Sequence, residues 1–199
     1  MTILILCEGK HDVCLLERII REHKKIIKRY EKDSIIRRVV EGKSLPKFVI
    51  VEEGGKTQLL KEIQILVSKL RSISRNVKIL AILDQDDDPK KIDKSLMDLG
   101  DYLKRTMKSL IESKFPIYKP SFEININTQC YSVKLVVYFK SANVTIMLFM
   151  IPKSLEYQVA KLRVKDEKSI TCEDIENAPF EDIDWFVRLN ELISALSRG

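Results

Sequence analysis

Three acidic residues stand where a chain can do chemistry on phosphate. Glu8 directly follows the apolar run 2–7 (TILILC), and Asp84 and Asp86 follow the run 77–83 (VKILAIL). A short apolar run bounded by polar residues reads as a strand buried on both faces. Parallel strands deliver their following loops to one edge of a sheet, the edge where α/β proteins bind ligands. Neighbouring or near-neighbouring strands would therefore bring Glu8 and Asp84 together. Residues two apart, such as Asp84 and Asp86, point to the same side of an extended segment. Converging carboxylates repel one another, and a hard divalent cation, Mg2+ or Mn2+, is the natural means of holding them ionised near neutral pH. Such an ion orients a phosphate, neutralises its charge and lowers the pKa of an attacking water. Glu8, left free of the metal, would act as general acid or base. The plainer reading, solvated acids in a turn, fits Asp87 and Asp88 better than the Glu8–Asp84 pair, and Asp88 stays a further candidate.

The elements that must position these acids follow from the pattern on either side. A helix is expected from His11 or Asp12 to Lys32, with Leu15, Leu16, Ile19, Ile20, His23, Ile26, Ile27 and Tyr30 as its apolar stripe. Residues 34–40 and 47–52 read as strands separated by Gly42 and Pro46, and Gly54-Gly55 precedes a helix over 57–72. Pro89 introduces a helix over 90–112. Strands are expected at 121–126, 131–140 and 144–151, with Pro152 ending the last, followed by a helix over 154–163. Helices over 171–177, with Thr171 and Asp174 as a capping arrangement, and 180–197 close the chain. Strands alternating with helices in this order predict an α/β domain with a largely parallel central sheet flanked by helices.

Composition narrows the class. With 199 residues, 45% hydrophobic and 32% charged, the chain can bury a core of one globular domain and is too apolar to be disordered throughout. No apolar run reaches the roughly 18 residues of a membrane span, and Glu8 and Lys10 interrupt the place of a signal peptide, so a cytoplasmic protein with no membrane partner is expected. Cys7, Cys14, Cys130 and Cys172 form no CxxC pair, so neither a zinc site nor a disulfide framework is expected and each reads as a buried thiol. With His11 and His23 as the only histidines, acid-base chemistry falls mainly on carboxylates.

Charge divides the chain unevenly. Residues 166–199 carry nine acids against three bases, so a net charge of +6 leaves +12 on the rest. This gives a body over 1–165 and an acidic helical appendage over 166–199 packed on it, with Trp185, Phe186, Leu189, Leu192, Ile193 and Leu196 as its apolar face. Bases concentrate between Arg18 and Arg38, the footprint of a protein that meets phosphates, although a solvated helix face gives the same pattern. Arg18, Arg21 and Lys25 are the candidates from that stretch. Gly9 would admit a phosphate to the backbone beside Lys10, at the N-terminal end of the first helix.

At the two acidic tips the sequence resembles a Toprim domain, the catalytic fold of topoisomerases, DnaG-type primases, recombination proteins and overcoming-lysogenization-defect nucleases. That family's first motif is an apolar strand followed by Glu-Gly and an Asp three residues on; here ILILCEGKHD supplies Glu8, Gly9 and Asp12. Its second is an apolar strand followed by Asp-x-Asp; here ILAILDQDDDP supplies Asp84 and Asp86. The resemblance implies a Rossmann-like fold, Glu8 as general acid/base, Asp84 and Asp86 as magnesium ligands, and nucleic acid, DNA or RNA, as partner. Asp12 is open between site residue and helix cap. The rest of the chain is similar to small stand-alone Toprim-like proteins in Gly54-Gly55-Lys56 and in MIPKSLEYQV, where Pro152 and Glu156 match the pattern. Ser154-Leu155 replaces the Gly that commonly precedes that Glu, so Glu156 reads either as a further site residue or as an ordinary helix residue.

These residues leave three function classes. The first is a magnesium-dependent nuclease or nucleotidyl-transfer component, alone, with a protein partner or as a homo-oligomer. The second is a module that binds metal and nucleic acid without turnover. The third is an Asp-based phosphotransferase, which would need its Asp-x-Asp at the first strand, where this chain has Glu-Gly.

Overall fold

The computed structural model describes residues 2–20, 24–28, 31–41, 43–70, 76–85, 121–126, 131–138 and 143–198. Within them the chain is α/β. Seven strands, β1 (Ile3–Cys7), β2 (Lys24–Lys28), β3 (Phe48–Glu52), β4 (Val77–Asp84), β5 (Ser121–Ile126), β6 (Tyr131–Tyr138) and β7 (Asn143–Ile151), form one sheet in the order β2-β3-β1-β4-β7-β6-β5. From β2 through β7 the neighbours are parallel, while β6 and β5 continue the sheet antiparallel. The sheet is thus Rossmann-like in its parallel half, with β1 and β4 side by side at its centre.

Burial on both faces explains why β1, β3 and β4 read as unbroken apolar runs. Leu4 and Leu6 point into one core with Val49, Val51, Ile79 and Ala81, under helices α2 (Lys32–Val40) and α3 (Lys56–Leu70). Ile3, Ile5 and Cys7 point into the other, with Ile50, Leu80 and Ile82, under α1 (Lys10–Ile19), α4 (Leu155–Arg163), α5 (Cys172–Glu176) and α6 (Asp184–Arg198). The acidic C-terminal segment belongs to this second core: Ile175, Phe180, Trp185, Leu189 and Ile193 are buried in it. Phe180 stacks on Phe186 at 5.2 Å and meets Trp185 edge-on, and Lys78 Nζ donates to the Leu196 carbonyl at 2.8 Å. Thr171 and Asp174 form the reciprocal capping arrangement at the start of α5.

Three expectations are corrected. The first helix does not run to Lys32; it ends at Ile19, and KKIIK forms β2 instead, covering the open edge of β3 with Lys24 opposite Phe48 and Lys28 opposite Glu52. Lysines suit that position because charge blunts an edge against further pairing. Lys24 Nζ also donates to the Glu17 and Ile20 carbonyls at the end of α1. Residues 34–40 are helical, within α2, although their β-branched content favours a strand. Ile35, Ile36 and Val39 are buried while Asp33, Ser34, Arg37 and Arg38 are exposed, a two-in, two-out rhythm that only a helix satisfies. Finally, Cys14 and Cys172 are bonded to each other, with Cα atoms 5.5 Å apart, rather than being separate thiols. The bond ties α5 to α1 across 158 residues of sequence, a pairing that no local spacing announces. The expected helix over 90–112 lies outside the described residues, as do Asp86, Asp88, Arg21, His23 and Cys130. No helix among the described residues is long and apolar enough to cross a membrane.

Candidate active site

All five parallel strands release their chains at one edge, and the acids gather at its middle. Glu8 leaves β1, Glu53 leaves β3, Asp84 is the last residue of β4, and Glu156 stands in the first turn of α4 after β7. The Glu8 carboxylate accepts a hydrogen bond from the Asp84 backbone N–H at 3.0 Å, joining residues 76 apart in sequence. Asp84 Oδ1 in turn accepts from the Leu155 N–H at 3.2 Å, so α4 is hung on the end of β4. Next to it the Gln85 N–H donates to the Ile151 carbonyl, and Gln85 Oε1 accepts from the Lys153 N–H.

Glycines set the neighbouring loop. Gly54 and Gly55 have φ of +85° and +125°, in the region that side chains disfavour, and both N–H groups donate to the Glu8 carbonyl at 2.9 Å. The loops after β1 and β3 are thereby locked together. Gly9 is different: its backbone is extended, and a Cβ built there meets nothing within 4 Å. Open space lies beside its backbone, next to the exposed Lys10 at the start of α1.

Asp12, only 5% exposed, accepts from the Gly9 N–H at 3.0 Å. It therefore caps the first turn from within, three residues past the cap position, while also belonging to the acid cluster. Burial pushes its carboxyl up to about 7, with the Glu8 and Glu156 charges adding to the effect against the Gly9 hydrogen bond. Asp84 is pushed further, to about 9, by burial first and then by Asp12, Glu8 and Glu156. Asp12 and Asp84 thus both feel the Glu8 and Glu156 charges, and Asp84 feels Asp12 as well. Cys7 beneath them is raised as well, by burial and then Asp12, Glu52, Glu53 and Glu8, so it stays a neutral thiol donating toward the Val51 carbonyl.

Glu156 belongs to the cluster rather than to an ordinary helix face: its Oε1 lies 2.6 Å from His11 Nδ1. His11 and the buried Glu53 are the site residues that the sequence reading missed. The available signal was position, since His11 lies in the first turn after Glu8-Gly9 and Glu53 directly precedes Gly54-Gly55.

The basic candidates separate. Arg18 faces the C-terminal segment: its guanidinium donates to the Ile175 and Ala178 carbonyls at 2.9 and 2.6 Å, pairs with Glu181, and lies over the Phe180 and Phe186 rings. A guanidinium so engaged anchors α5 and α6 to α1 and is not presented to phosphate. Lys25 lies on β2 opposite Val49, two strands from β1.

An all-oxygen set of carboxylates fits a hard cation in its donor chemistry. Glu8 and Asp84 are the described residues that would hold it. Among the described residues no three His, Cys, Asp or Glu side chains are gathered as a ready-made metal cage.

No family model matches this chain, and no curated protein matches it. A solved structure it resembles is the solution NMR structure of a de novo designed protein with a P-loop NTPase fold, at 18% identity and a TM-score of 0.29, covering 58% of this chain and 95% of the designed one. A likeness that partial adds nothing to the architecture described above.

Proposed function

We propose that the chain is a Toprim-like, Mg2+-dependent enzyme of nucleic-acid phosphodiesters, a nuclease or nucleotidyl-transfer component. The observation that carries this reading is the Glu8–Asp84 contact, which puts the two acidic tips side by side on adjacent central strands. A bound divalent ion would supply charge neutralisation of the scissile phosphate and activation of a water. Glu8 would exchange a proton with the reacting oxygen, Asp84 and Asp86 would hold the cation, and Asp12 keeps the Glu8-Gly9 turn in shape. The His11–Glu156 pair lies at the same edge and can relay a proton.

The test is incubation of purified protein with labelled single- and double-stranded DNA and RNA in Mg2+, Mn2+ or chelator. Metal-dependent multiple turnover is expected, lost in Glu8→Gln and Asp84→Asn while circular dichroism stays unchanged. Full activity in those variants overturns the assignment. Binding without turnover in every metal condition would leave a binding module in its place.

A further inference from the structure

Beside the acid cluster, α4 carries a second surface that the chemistry above does not use. Lys153, Tyr157 and Lys161 are spaced four residues apart and so lie along one side of α4 and its entry turn. Lys153 follows β7 with φ of +59°, and its ammonium lies over the Tyr157 ring, 4.0 Å from the centroid. A non-glycine residue at positive φ is uncommon and points to a position the surrounding structure holds in place. From Tyr157 the surface opens into a groove of about 820 Å³ between α4 and the 3-10 turn Glu167–Ser169, lined also by Lys161, Val164 and Lys168. Val164, at the left-handed end of the helix, is 94% exposed. Asp166 and Glu167 line the groove too, with Asp166 capping the turn by accepting from the Lys168 N–H. Lys165 is paired with Asp174. The ammonium groups of Lys161 and Lys168 have no ion-pair partner among the described residues.

An aromatic ring flanked by uncommitted ammonium groups is the pattern that holds a single nucleic-acid strand, by base stacking and phosphate contact. The helix rise puts Lys161 about 6 Å along the axis from Tyr157. Tyr157, at one end of the groove, directly follows Glu156, which pairs with His11, and the Lys153 whose ammonium covers its ring donates its backbone N–H to Gln85, the residue after Asp84. We propose that this groove carries the single strand flanking the scissile phosphodiester, with a base on Tyr157 and phosphates on Lys161 and Lys168. The direction of the strand rests on the phosphodiesterase reading, but the binding surface is measurable without catalysis.

The experiment is fluorescence anisotropy in chelator with fluorescein-labelled oligo(dT) and oligo(U) of about ten nucleotides, within the roughly 4–16 that small single-strand-binding modules cover. Wild-type protein is expected to bind, and Tyr157→Ala to weaken binding about tenfold or more while Tyr157→Phe keeps it. The double variant Lys161→Gln, Lys168→Gln is expected to reduce the slope of log affinity against log salt by about 1.4. All variants are checked for an unchanged thermal midpoint. Unchanged affinity in Tyr157→Ala with an unchanged salt slope in the lysine double variant overturns the groove assignment, as does absence of binding by the wild type. Metal-dependent cleavage by the same wild-type preparation would leave the catalytic reading standing in either case.

Discussion

Asp84 and Asp174 are the same residue in opposite circumstances. Asp174 is 3% exposed, yet Lys165 and the Thr171 hydroxyl and N–H hold its carboxyl down to about 2. Asp84, at the end of a central strand, is driven to about 9 by burial and then by the acids around it. Burial and neighbouring acids act in the same direction on Asp84, whereas at Asp174 a lysine and the Thr171 donors outweigh burial. Where the chain uses a carboxylate to build, it supplies a cation and a cap; at the sheet edge it gathers carboxylates. Strongly shifted groups in a cleft mark sites of chemistry, although structural ion pairs also shift pKa values, and Asp174 is such a pair.

The contrast can be broken first at activity. Asp84→Asn and Glu8→Gln are expected to lower phosphodiester turnover by about a hundredfold or more, the usual weight of a positioned acid-base group, while Asp174→Asn keeps kcat. Equal losses in kcat for all three would erase the distinction. Next in size is the covalent tie of the built region. Cys172→Ser is expected to lower unfolding free energy by about 3 kcal/mol in urea titrations, and reductant to produce the same loss in wild-type protein. Indifference to both would mean that the bond does not form in solution.

A sharper version uses one substitution in each place and reads stability. Asparagine at 84 retains an oxygen for the Leu155 N–H and needs no proton to stay neutral, so Asp84→Asn is expected to stabilise the fold by about 1 kcal/mol at pH 8 in chelator. Asp174→Asn is expected to lower the thermal midpoint, having lost its ion pair with Lys165. The finest test is the pH profile. Between 3.8, its ordinary value, and about 9, folded Asp84 retains a proton that the unfolded chain releases, so metal-free stability should fall as pH rises through that window. Asp12 adds to this fall up to about 7. Asp174 acts with the opposite sign: its contribution is present above 3.8 and lost as pH falls toward 2. Urea midpoints across pH should show the alkaline slope reduced in Asp84→Asn and the acid slope reduced in Asp174→Asn.

Much of this was legible where the backbone and the apolar pattern agree. The runs 2–7 and 77–83 could only be buried strands, and their parallel pairing carries Glu8 to Asp84. KKIIK was not legible, because five residues with two isoleucines continue a helical stripe as well as they make a strand; the open edge of β3 decided between them. Arg18 reads as a surface base until Phe180, Phe186 and two carbonyls arrive from the far end of the chain to receive it. Cys14 and Cys172 have the same character, as do His11 and Glu156: each pair is written in two distant places and only the completed fold joins them.

That distance has a consequence during synthesis. Of the strands of this sheet, β1 is made first and comes to lie near its centre, and β4 beside it gains its other parallel neighbour, β7, only after residue 143 has been made. A nascent chain that already contains Glu8 and Asp84 still lacks the Leu155 N–H that receives Asp84 and the Glu156 that meets His11. The acids therefore acquire their setting only once residue 156 has been made, and a nascent chain short of that point holds Glu8 and Asp84 without these partners.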